Sequence, residues 1–297
     1  IHMSTSINEK IYLNKLTIQI EELITNFNGL AGISIKNLNS GWYYGLNDDL
    51  IFPTASSIKI PILLKLIQDS QNNNLDLSRI ITITDDMKSR GSGIIHKMQG
   101  TINLSIENLA ILMINLSDNT ATNLCIDLAN MEEINQMLED YEFKNMRLNR
   151  KMQDYDAINS GKENLSSAKE MNFIMEMLDS SSAISPEVSN KTLEILALNK
   201  STPISQLLPE HIKIAGKTGG MPGVRCETAI IYLNNTKYAL TVMTSLSNTE
   251  KSSSKDNVLE LNGTELISMI SYEVFNFFNV LDNSSKFGQG LTQTINN

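Results

Sequence analysis

The chain has few of the residues that bind metal ions or form disulfide bonds: two cysteines and three histidines in 297 residues. Cys125 and Cys226 lie far apart in apolar segments, so we expect two free, buried thiols and neither a disulfide bond nor a catalytic thiol. His2, His96 and His211 form no cluster with other ligating residues, and His96 lacks the neighbours that a Ser-His-Asp triad needs. The composition therefore predicts no metal site and no cofactor.

Positive charge and long apolar runs are also scarce. The 24 lysine and arginine residues are outnumbered by 33 aspartate and glutamate residues, which gives a net charge of -9 and a pI near 4.9. This balance, without a basic cluster, argues against nucleic acid or an anionic membrane as the partner. No apolar stretch reaches the roughly 18 residues that a membrane-spanning helix needs, so no span is predicted.

The N-terminus lacks a hydrophobic signal core. Its first residues, Ile1-His2-Met3, are typical of a remnant left by an expression vector. Two origins stay open at this point. Either the protein begins at Met3 and remains in the cytoplasm, or an export signal preceded the present sequence.

What the sequence does contain is a clear series of helical and strand patterns. A capping box at residues 6–9 begins an amphipathic helix that ends near Gly29, and residues 31–38 and 42–44 have the pattern of a β-hairpin. Further strand patterns are found at residues 212–215, 227–233 and 238–245. Helical apolar spacing is found at residues 105–116, 120–128, 134–138, 168–178, 188–198 and 264–281.

This order predicts an α+β fold of the α/β-sandwich kind. An antiparallel sheet completed by both chain ends is flanked by the N- and C-terminal helices and interrupted by an inserted all-helical domain. We assign residues 6–52 and 210–281 to a discontinuous α/β domain and residues 53–209 to the helical domain, with a cleft between them. Residues 1–5 and 282–297 are polar ends that we expect to be loosely held.

The pair Ser56 and Lys59 is the first candidate for chemistry. The two residues stand three apart before the apolar run 60–64, so in a helix they lie on one face within hydrogen-bonding distance. Burial would lower the pKa of the lysine and leave a neutral amine that can accept a proton from the serine. Taken alone, the pattern fits a core helix capped by Ser56 at least as well.

A second motif, Ser117-Asp118-Asn119, falls between two helical segments. A corner at this place can present Ser117 and Asn119 to a cleft. Serine, aspartate and asparagine favour corners in any protein, so this motif alone is a weak indication of function.

A third motif, Lys217-Thr218-Gly219-Gly220, follows the strand predicted at 212–215. Its lysine offers a cation to an anionic substrate, and its glycines permit close approach of another chain or a ligand. A strand that ends in these residues is also typical of an ordinary solvated edge.

In this order the three motifs resemble the set shared by class A β-lactamases and penicillin-binding proteins, and class A is the closer match. Flanking residues extend the similarity from about residue 30 to residue 278. The resemblance implies the fold described above and a serine hydrolase that acts through an acyl-enzyme. Its substrate would be a β-lactam or a related cell-wall acyl compound. The family also implies a secreted or periplasmic location, and we expect a monomer.

The resemblance assigns roles to individual residues. Ser56 would attack the acyl carbonyl, and neutral Lys59 would take its proton, helped by the nearby charge of Lys217. Ser117 would pass a proton to the leaving nitrogen. The oxyanion would be bound by the backbone N–H groups of Ser56 and Gly220. The residues implied in substrate binding are Asn119, Thr218, Gly219, Gly220 and Arg225.

The loop that releases the acyl group departs from the family pattern. Class A enzymes hold the attacking water there with a glutamate and an asparagine. Aligned on Arg150, those two positions hold Met152 and Asp156, and a methionine cannot act as a base. The ion-pair partner that the family provides for Arg150 aligns with Asn164, next to Glu163.

Several interpretations of this loop stay open. Asp154 or Asp156 replaces the missing base, although both are equally expected as ordinary solvated loop carboxylates. Alternatively the acyl-enzyme persists, as in penicillin-binding proteins, or the natural substrate is another acyl compound such as a peptide or an ester. A non-catalytic sensor of β-lactams or cell-wall fragments is disfavoured, because a binding protein has no need for Lys59 beside Ser56.

Overall fold

The computed structural model describes residues 7–198, 201–246, 261–285 and 288–289. Ser6 of the predicted capping box, residues 1–5 and most of the predicted loose tail lie outside the described residues. The helices are α1 (Ile7–Thr25), α2 (Lys59–Gln71), α3 (Ile106–Asn115), α4 (Asn119–Ala129), α5 (Met131–Asp140), α6 (Tyr155–Asn159), α7 (Ala168–Ser180), α8 (Pro186–Leu196) and α9 (Gly263–Asp282). The strands are β1 (Gly29–Asn37), β2 (Tyr43–Leu46), β3 (Ile51–Pro53), β4 (Ile80–Ile83), β5 (Ile102–Ser105), β6 (Leu165–Ser167), β7 (Lys213–Met221), β8 (Val224–Tyr232), β9 (Lys237–Leu246), β10 (Ser284–Ser285) and β11 (Gly288–Gln289).

A five-stranded antiparallel sheet in the order β2-β1-β9-β8-β7 is the centre of the fold. Its strands come from both ends of the chain, and the elements from β3 to α8 are inserted between β2 and β7. This arrangement confirms the predicted fold class. Since β7 is an edge strand, one side of its backbone is left free of sheet pairing and available to a neighbouring element or ligand.

Two apolar cores lie on opposite faces of the sheet. Helices α1 and α9 cover one face, where Leu16 and Ile270 join a cluster that includes Ile231 of β8. Helix α7 packs on the other face, where Ile230 joins the larger core of the inserted region. Neighbouring residues of β8 enter different cores because successive side chains of a strand point to opposite faces. The sheet is therefore held from both sides.

Helix α2 is the central helix of the inserted region. It is buried without interruption from Lys59 to Leu64 and packs against α4, α5 and α8. A stretch of helix that is buried on all sides needs neighbouring elements on all sides to cover it. None of the helices within the described ranges is both long and apolar enough to cross a membrane. Cys125 and Cys226 are free and buried, as predicted.

The inserted region is not purely helical. It contains one short antiparallel ribbon, formed by β4 and β5, and β3 and β6 form a second ribbon at its border. The sequence did not indicate these strands, because segments of three or four residues are too short to show an alternating pattern. The domain boundaries assigned from the sequence remain a prediction.

Two elements near the motifs differ from the prediction. Strand β7 runs to Met221, so Lys217 and the residues after it lie inside the strand and not beyond its end. Glycine in the interior of a strand usually weakens it, yet the pairing of β7 with β8 continues through Gly219 and Gly220. Ser56 lies in a 3-10 turn, and α2 begins only at Lys59.

Candidate active site

The turn that carries Ser56 is fixed from two sides. Ala55, just before it, has a φ of 45°, in the left-handed region that non-glycine residues rarely adopt. The backbone N–H of Thr54 donates to Asn164 O at 2.9 Å, which ties the turn to the residue that precedes β6. The buried Ser57 contacts the carbonyl oxygen of Lys217 at 3.4 Å, which ties the turn to β7. Ser56 is therefore held between the Asn164 segment and the sheet.

A chain of hydrogen bonds joins Lys59 to Ser56 through Ser117. Lys59 Nζ contacts the Oγ of Ser117 at 2.9 Å and its backbone oxygen at 2.8 Å. Ser117 Oγ in turn contacts Ser56 Oγ at 2.9 Å. The lysine also reaches Asn119 Oδ1 at 3.4 Å. The sequence predicted a direct contact between Ser56 and Lys59, whereas the hydrogen bonds of the structure pass through the second motif.

Lys59 and Lys217 are both buried, with 0% and 1% of their surfaces exposed. Burial lowers the pKa of Lys59 well below its usual value, and the charge of Lys217 lowers it further, while Asp118 acts in the opposite direction. Burial also lowers the pKa of Lys217, to about 8. These shifts have the direction that a proton-accepting Lys59 requires.

Asp118 organises the corner between α3 and α4. Its fully buried carboxylate caps α4 by accepting from Ala121 N at 2.9 Å, and it also accepts from the backbone N–H groups of Ile94 and Ile95. The corner places Ser117 in the left-handed region, with a φ of 52°. Asp118 thus fixes the backbone of the corner, and the side chain of the neighbouring Ser117 points from this corner towards Ser56.

The loop before α3 covers the Asn119 side of the corner. Asn119 Nδ2 donates to Arg90 O at 2.9 Å, and its backbone N–H donates to Ser92 O at 3.0 Å. Gly91 has a φ of 97°, and a Cβ there would lie 2.7 Å from Asn119 Nδ2. Both observations require glycine, because a side chain would be strained and would also displace the asparagine.

Strand β7 passes directly beside the nucleophile turn. A Cβ on Gly219 would lie 2.5 Å from Thr54 O, 2.6 Å from Cys226 Sγ and 2.9 Å from Ser56 N. Two of these three atoms belong to the backbone and cannot swing away. Glycine at this position therefore allows the strand to bring its own backbone within reach of Ser56, where an oxyanion hole needs its N–H groups.

The other predicted substrate-binding residues line the same edge. Thr218 is half-buried and Gly220 is exposed at the open end of β7. Arg225 is paired in register with Gly220, and its guanidinium donates to Met221 O and Val224 O at 2.7 Å each. The structure thus brings Arg225 beside Gly220 of the third motif.

Met152 is held in place by two hydrogen bonds to its backbone. Its N–H donates to Asn123 Oδ1 at 2.8 Å, and its carbonyl accepts from Asn123 Nδ2 at 3.1 Å. Asn123 stands one helical turn after Asn119 on α4, so the two amides lie on the same face. Asn123 was not among the residues predicted for the site, although its four-residue spacing from Asn119 is a signal that could have found it.

The ion pair of this loop is present with a different partner from the aligned one. Arg150 NH2 contacts Glu163 Oε1 at 2.6 Å. Asn164, at the position where the family was expected to supply the partner, accepts instead from the backbone N–H groups of Asn149 and Arg150. The loop is therefore closed by both residues, one through charge and one through its amide.

The two loop carboxylates proposed for release have different surroundings. Asp154 caps α6 by accepting from Ala157 N at 3.0 Å. Asp156 lies in the first turn of α6 and is exposed. Their part in releasing an acyl group stays a prediction.

Comparison with known proteins assigns the chain to a family. The profile of the β-lactamase enzyme family matches residues 15–278. The chain is 26% identical over 210 residues to β-lactamase CARB-4 of Pseudomonas aeruginosa, covering 68% of this chain and 71% of that protein. It is 28% identical to β-lactamase VEB-1 of the same organism, over 39% of each chain.

Solved structures agree with this result. A β-lactamase from Sphaerobacter thermophilus DSM 20745 has the same fold, with a TM-score of 0.79, 24% identity, and coverage of 89% of this chain and 97% of that one. PBP-A superposes with a TM-score of 0.77 and 25% identity, covering 90% and 97% of the two chains. With the profile match extending over most of its length, the chain belongs to the β-lactamase enzyme family.

Proposed function

We propose that the protein is a serine hydrolase that opens β-lactam rings through an acyl-enzyme on Ser56. The observation that carries this proposal is the hydrogen-bond chain from Lys59 through Ser117 to Ser56. It joins a buried amine, whose pKa is lowered, to the hydroxyl of Ser56, whose backbone nitrogen lies beside Gly219 of β7. A structural cap would need neither the buried amine nor the glycine contact.

The same contacts can carry a proton in both directions. A neutral Lys59 has one lone pair, so the Ser56 hydroxyl can donate to Ser117 Oγ while the Ser117 hydroxyl donates to Lys59 Nζ. Attack of Ser56 Oγ on the lactam carbonyl then leaves the proton on Lys59. When the carbon–nitrogen bond breaks, Ser117 hands that proton to the leaving nitrogen.

The sheet side of the cleft would bind the charged parts of the substrate. The backbone N–H groups of Ser56 and Gly220 would stabilise the oxyanion, a contribution of about 3 kcal/mol for each donor. Lys217, Thr218 and Arg225 would bind the substrate carboxylate, and Asn119 would bind a side-chain amide. Lys217 is suited to this role because its pKa of about 8 leaves it charged at neutral pH.

A second candidate is a peptidase-like or esterase-like acyl hydrolase that releases β-lactams slowly. The observation that favours it is that Asn123 fixes the backbone of Met152, the residue aligned with the family's glutamate, so that this fixed position carries a thioether and no base. PBP-A, to which the chain is 25% identical, has been captured as an acyl-enzyme with penicillin G in a mutant form. In this case penicillins would acylate the present protein and stay bound.

One experiment separates the candidates. The protein is mixed with a chromogenic cephalosporin, turnover is followed by absorbance, and the protein is weighed by mass spectrometry. Many turnovers per protein support the β-lactamase. A single persistent adduct, absent in Ser56→Ala, supports the slow acyl hydrolase. Neither turnover nor an adduct with any β-lactam would overturn both and leave the non-catalytic sensor.

A further inference from the structure

Two buried polar side chains, Ser57 and Cys226, lie behind the turn that carries Ser56. They are 1% and 2% exposed, and Ser57 Oγ lies 3.2 Å from Cys226 Sγ. Neither belongs to the proton path from Lys59 to Ser56. A buried hydroxyl or thiol is costly unless it is hydrogen-bonded, so the partners of these two groups indicate what they do.

The thiol of Cys226 ties β8 to the first residue of the turn, and the hydroxyl of Ser57 ties its last residue to β7. Cys226 Sγ donates to Thr54 O at 2.8 Å, and Ser57 Oγ donates to Lys217 O at 3.4 Å. Burial raises the pKa of Cys226 to about 11, so the thiol keeps its proton at neutral pH. It therefore stays a hydrogen-bond donor beside the nucleophile.

Gly219 makes room for this arrangement. It is paired in register with Cys226, so the side-chain positions of the two residues lie on the same face of the sheet. A Cβ on Gly219 would lie 2.6 Å from Cys226 Sγ and 2.9 Å from Ser56 N. The thiol therefore fills the space beside a residue without a side chain, next to the backbone nitrogen of the nucleophile.

The turn needs such ties because its backbone is strained. Ala55 has a φ of 45°, and a non-glycine residue keeps this conformation only where its surroundings hold it. Ala55 and Ser56 lie between the residue that Cys226 holds and the residue that is tied to β7. A shift of the turn away from β7 would separate the N–H groups of Ser56 and Gly220, to which the proposed function assigns the oxyanion.

We propose that Cys226 and Ser57 are positioning residues that hold the turn of Ser56 against β7, so that the two N–H groups that bind the oxyanion keep a fixed separation. The proposal rests on the proposed function, in which Ser56 is the nucleophile. It assigns neither positioning residue a contact with the substrate. Loss of the ties should therefore slow acylation without weakening substrate binding, because the negative charge on the oxygen develops only in the transition state.

The test compares two variants of nearly equal size. Cys226→Ala removes the donor, whereas Cys226→Ser keeps a hydroxyl that can donate to Thr54 O. Acylation by benzylpenicillin is followed by rapid mixing, and the apparent dissociation constant is separated from the acylation rate constant. We expect Cys226→Ala to lower the rate constant about tenfold to a hundredfold, and Cys226→Ser to stay within about threefold of the wild type. The dissociation constants should agree within about twofold.

Infrared difference spectroscopy of the acyl-enzyme reports on the oxyanion N–H groups directly. Benzylpenicillin isotopically labelled at the lactam carbonyl identifies the ester carbonyl band, whose frequency falls when hydrogen bonds polarise the bond. We expect a higher frequency in Cys226→Ala and the wild-type frequency in Cys226→Ser. Ser57→Ala should raise the frequency by a smaller amount, because its contacts of 3.2 and 3.4 Å are longer.

Ser271→Ala is the matched control. Ser271 is buried on α9, and its hydroxyl donates at 2.8 Å to the backbone oxygen of Ile204, which belongs to the core between α1, α9 and the sheet. Cys226 belongs to the core on the other face. The control also loses a buried tie between two segments, but it should leave the acylation rate constant and the carbonyl frequency unchanged.

The outcomes are distinct. A wild-type rate constant and carbonyl frequency in Cys226→Ala would overturn the proposal. So would equal losses in the alanine and serine variants, or a loss of the same size in Ser271→Ala, since each of these results would show an effect of packing alone. If the proposed function itself is wrong, the wild type forms no adduct with benzylpenicillin and shows no ester carbonyl band, which none of the former results resembles.

Discussion

The nucleophile side of the site, around Ser117, and the loop side, around Met152, are both held by hydrogen bonds to the backbone but carry different chemistry. On the nucleophile side, Asp118 and the strained Ser117 fix a backbone whose side chains form a continuous polar chain. On the loop side, Asn123 and the Arg150–Glu163 ion pair fix a backbone that carries Met152, whose side chain is buried in the core of the inserted region. The lysine and serines of the first side can move a proton, whereas the thioether of Met152 cannot.

The difference shows how a loop can keep its shape while its chemistry changes. Both hydrogen bonds between Asn123 and Met152 are made to the N–H and the carbonyl of Met152. Every residue other than proline offers these two backbone groups, so the scaffold does not depend on which side chain is present. The nucleophile side has no such freedom, because Lys59 bonds the side chain of Ser117 itself.

Removing the nucleophile should have the largest effect on this comparison. Ser56→Ala is expected to lower acylation by at least about a thousandfold, since the hydrogen-bond chain from Lys59 ends at the Ser56 hydroxyl. Mass spectrometry of the protein after incubation with penicillin measures the adduct. Ser78→Ala is the matched control, because Ser78 is exposed and its hydroxyl donates to Asp76. An adduct that survives in Ser56→Ala would place the nucleophile elsewhere.

Replacing the proton acceptor should have the next largest effect. Lys59→Gln is expected to slow acylation about a hundredfold to ten-thousandfold, and wild-type acylation should fall as pH decreases and Lys59 gains its proton. Stopped-flow acylation rates across pH measure both effects. Lys65→Gln, on the same helix but paired with Asp69 and Glu133, should change neither. A normal rate in Lys59→Gln would contradict the proposed proton path.

Adding a base to the loop side should make the two sides more alike. Met152→Glu is expected to speed release of the acyl group about a hundredfold without changing acylation, because the backbone already holds this position. The decay of the adduct, followed by mass spectrometry, measures release. Met152→Gln, which is polar but cannot accept the proton, should release at the wild-type rate. Unchanged release in the glutamate variant would mean that Met152 does not face the acyl group.

Weakening the loop scaffold should have the smallest effect and should leave acylation intact. Glu163→Gln removes the charge opposite the buried Arg150 and is expected to lower the free energy of unfolding by about 1–3 kcal/mol. Urea denaturation measures the change. Asp49→Asn, at the exposed ion pair with Lys169, should cost less than about 0.5 kcal/mol. Equal losses in the two variants would show that Glu163 is no more than a surface charge.

Several site features were predictable because they depend on residue type and order. The three motifs named Ser56, Lys59, Ser117 and Lys217. The structure joins the first three by hydrogen bonds, and the charge of Lys217 acts on the pKa of Lys59. The hydrogen-bond partners were less predictable. The alignment indicated Asn164 as the partner of Arg150, whereas the ion pair is made by Glu163. Neighbouring residues of a loop point in different directions, so an alignment that is one residue off names the wrong partner.

The sequence by itself determined which residues could do chemistry and which fold would hold them, because the spacing of apolar residues and of motifs can be read from short segments of the chain. Only the tertiary structure decided how those residues are connected. It routed the link between Lys59 and Ser56 through Ser117 and extended β7 through two glycines. Such contacts join segments far apart in the chain, and their geometry arises from packing that no local pattern contains.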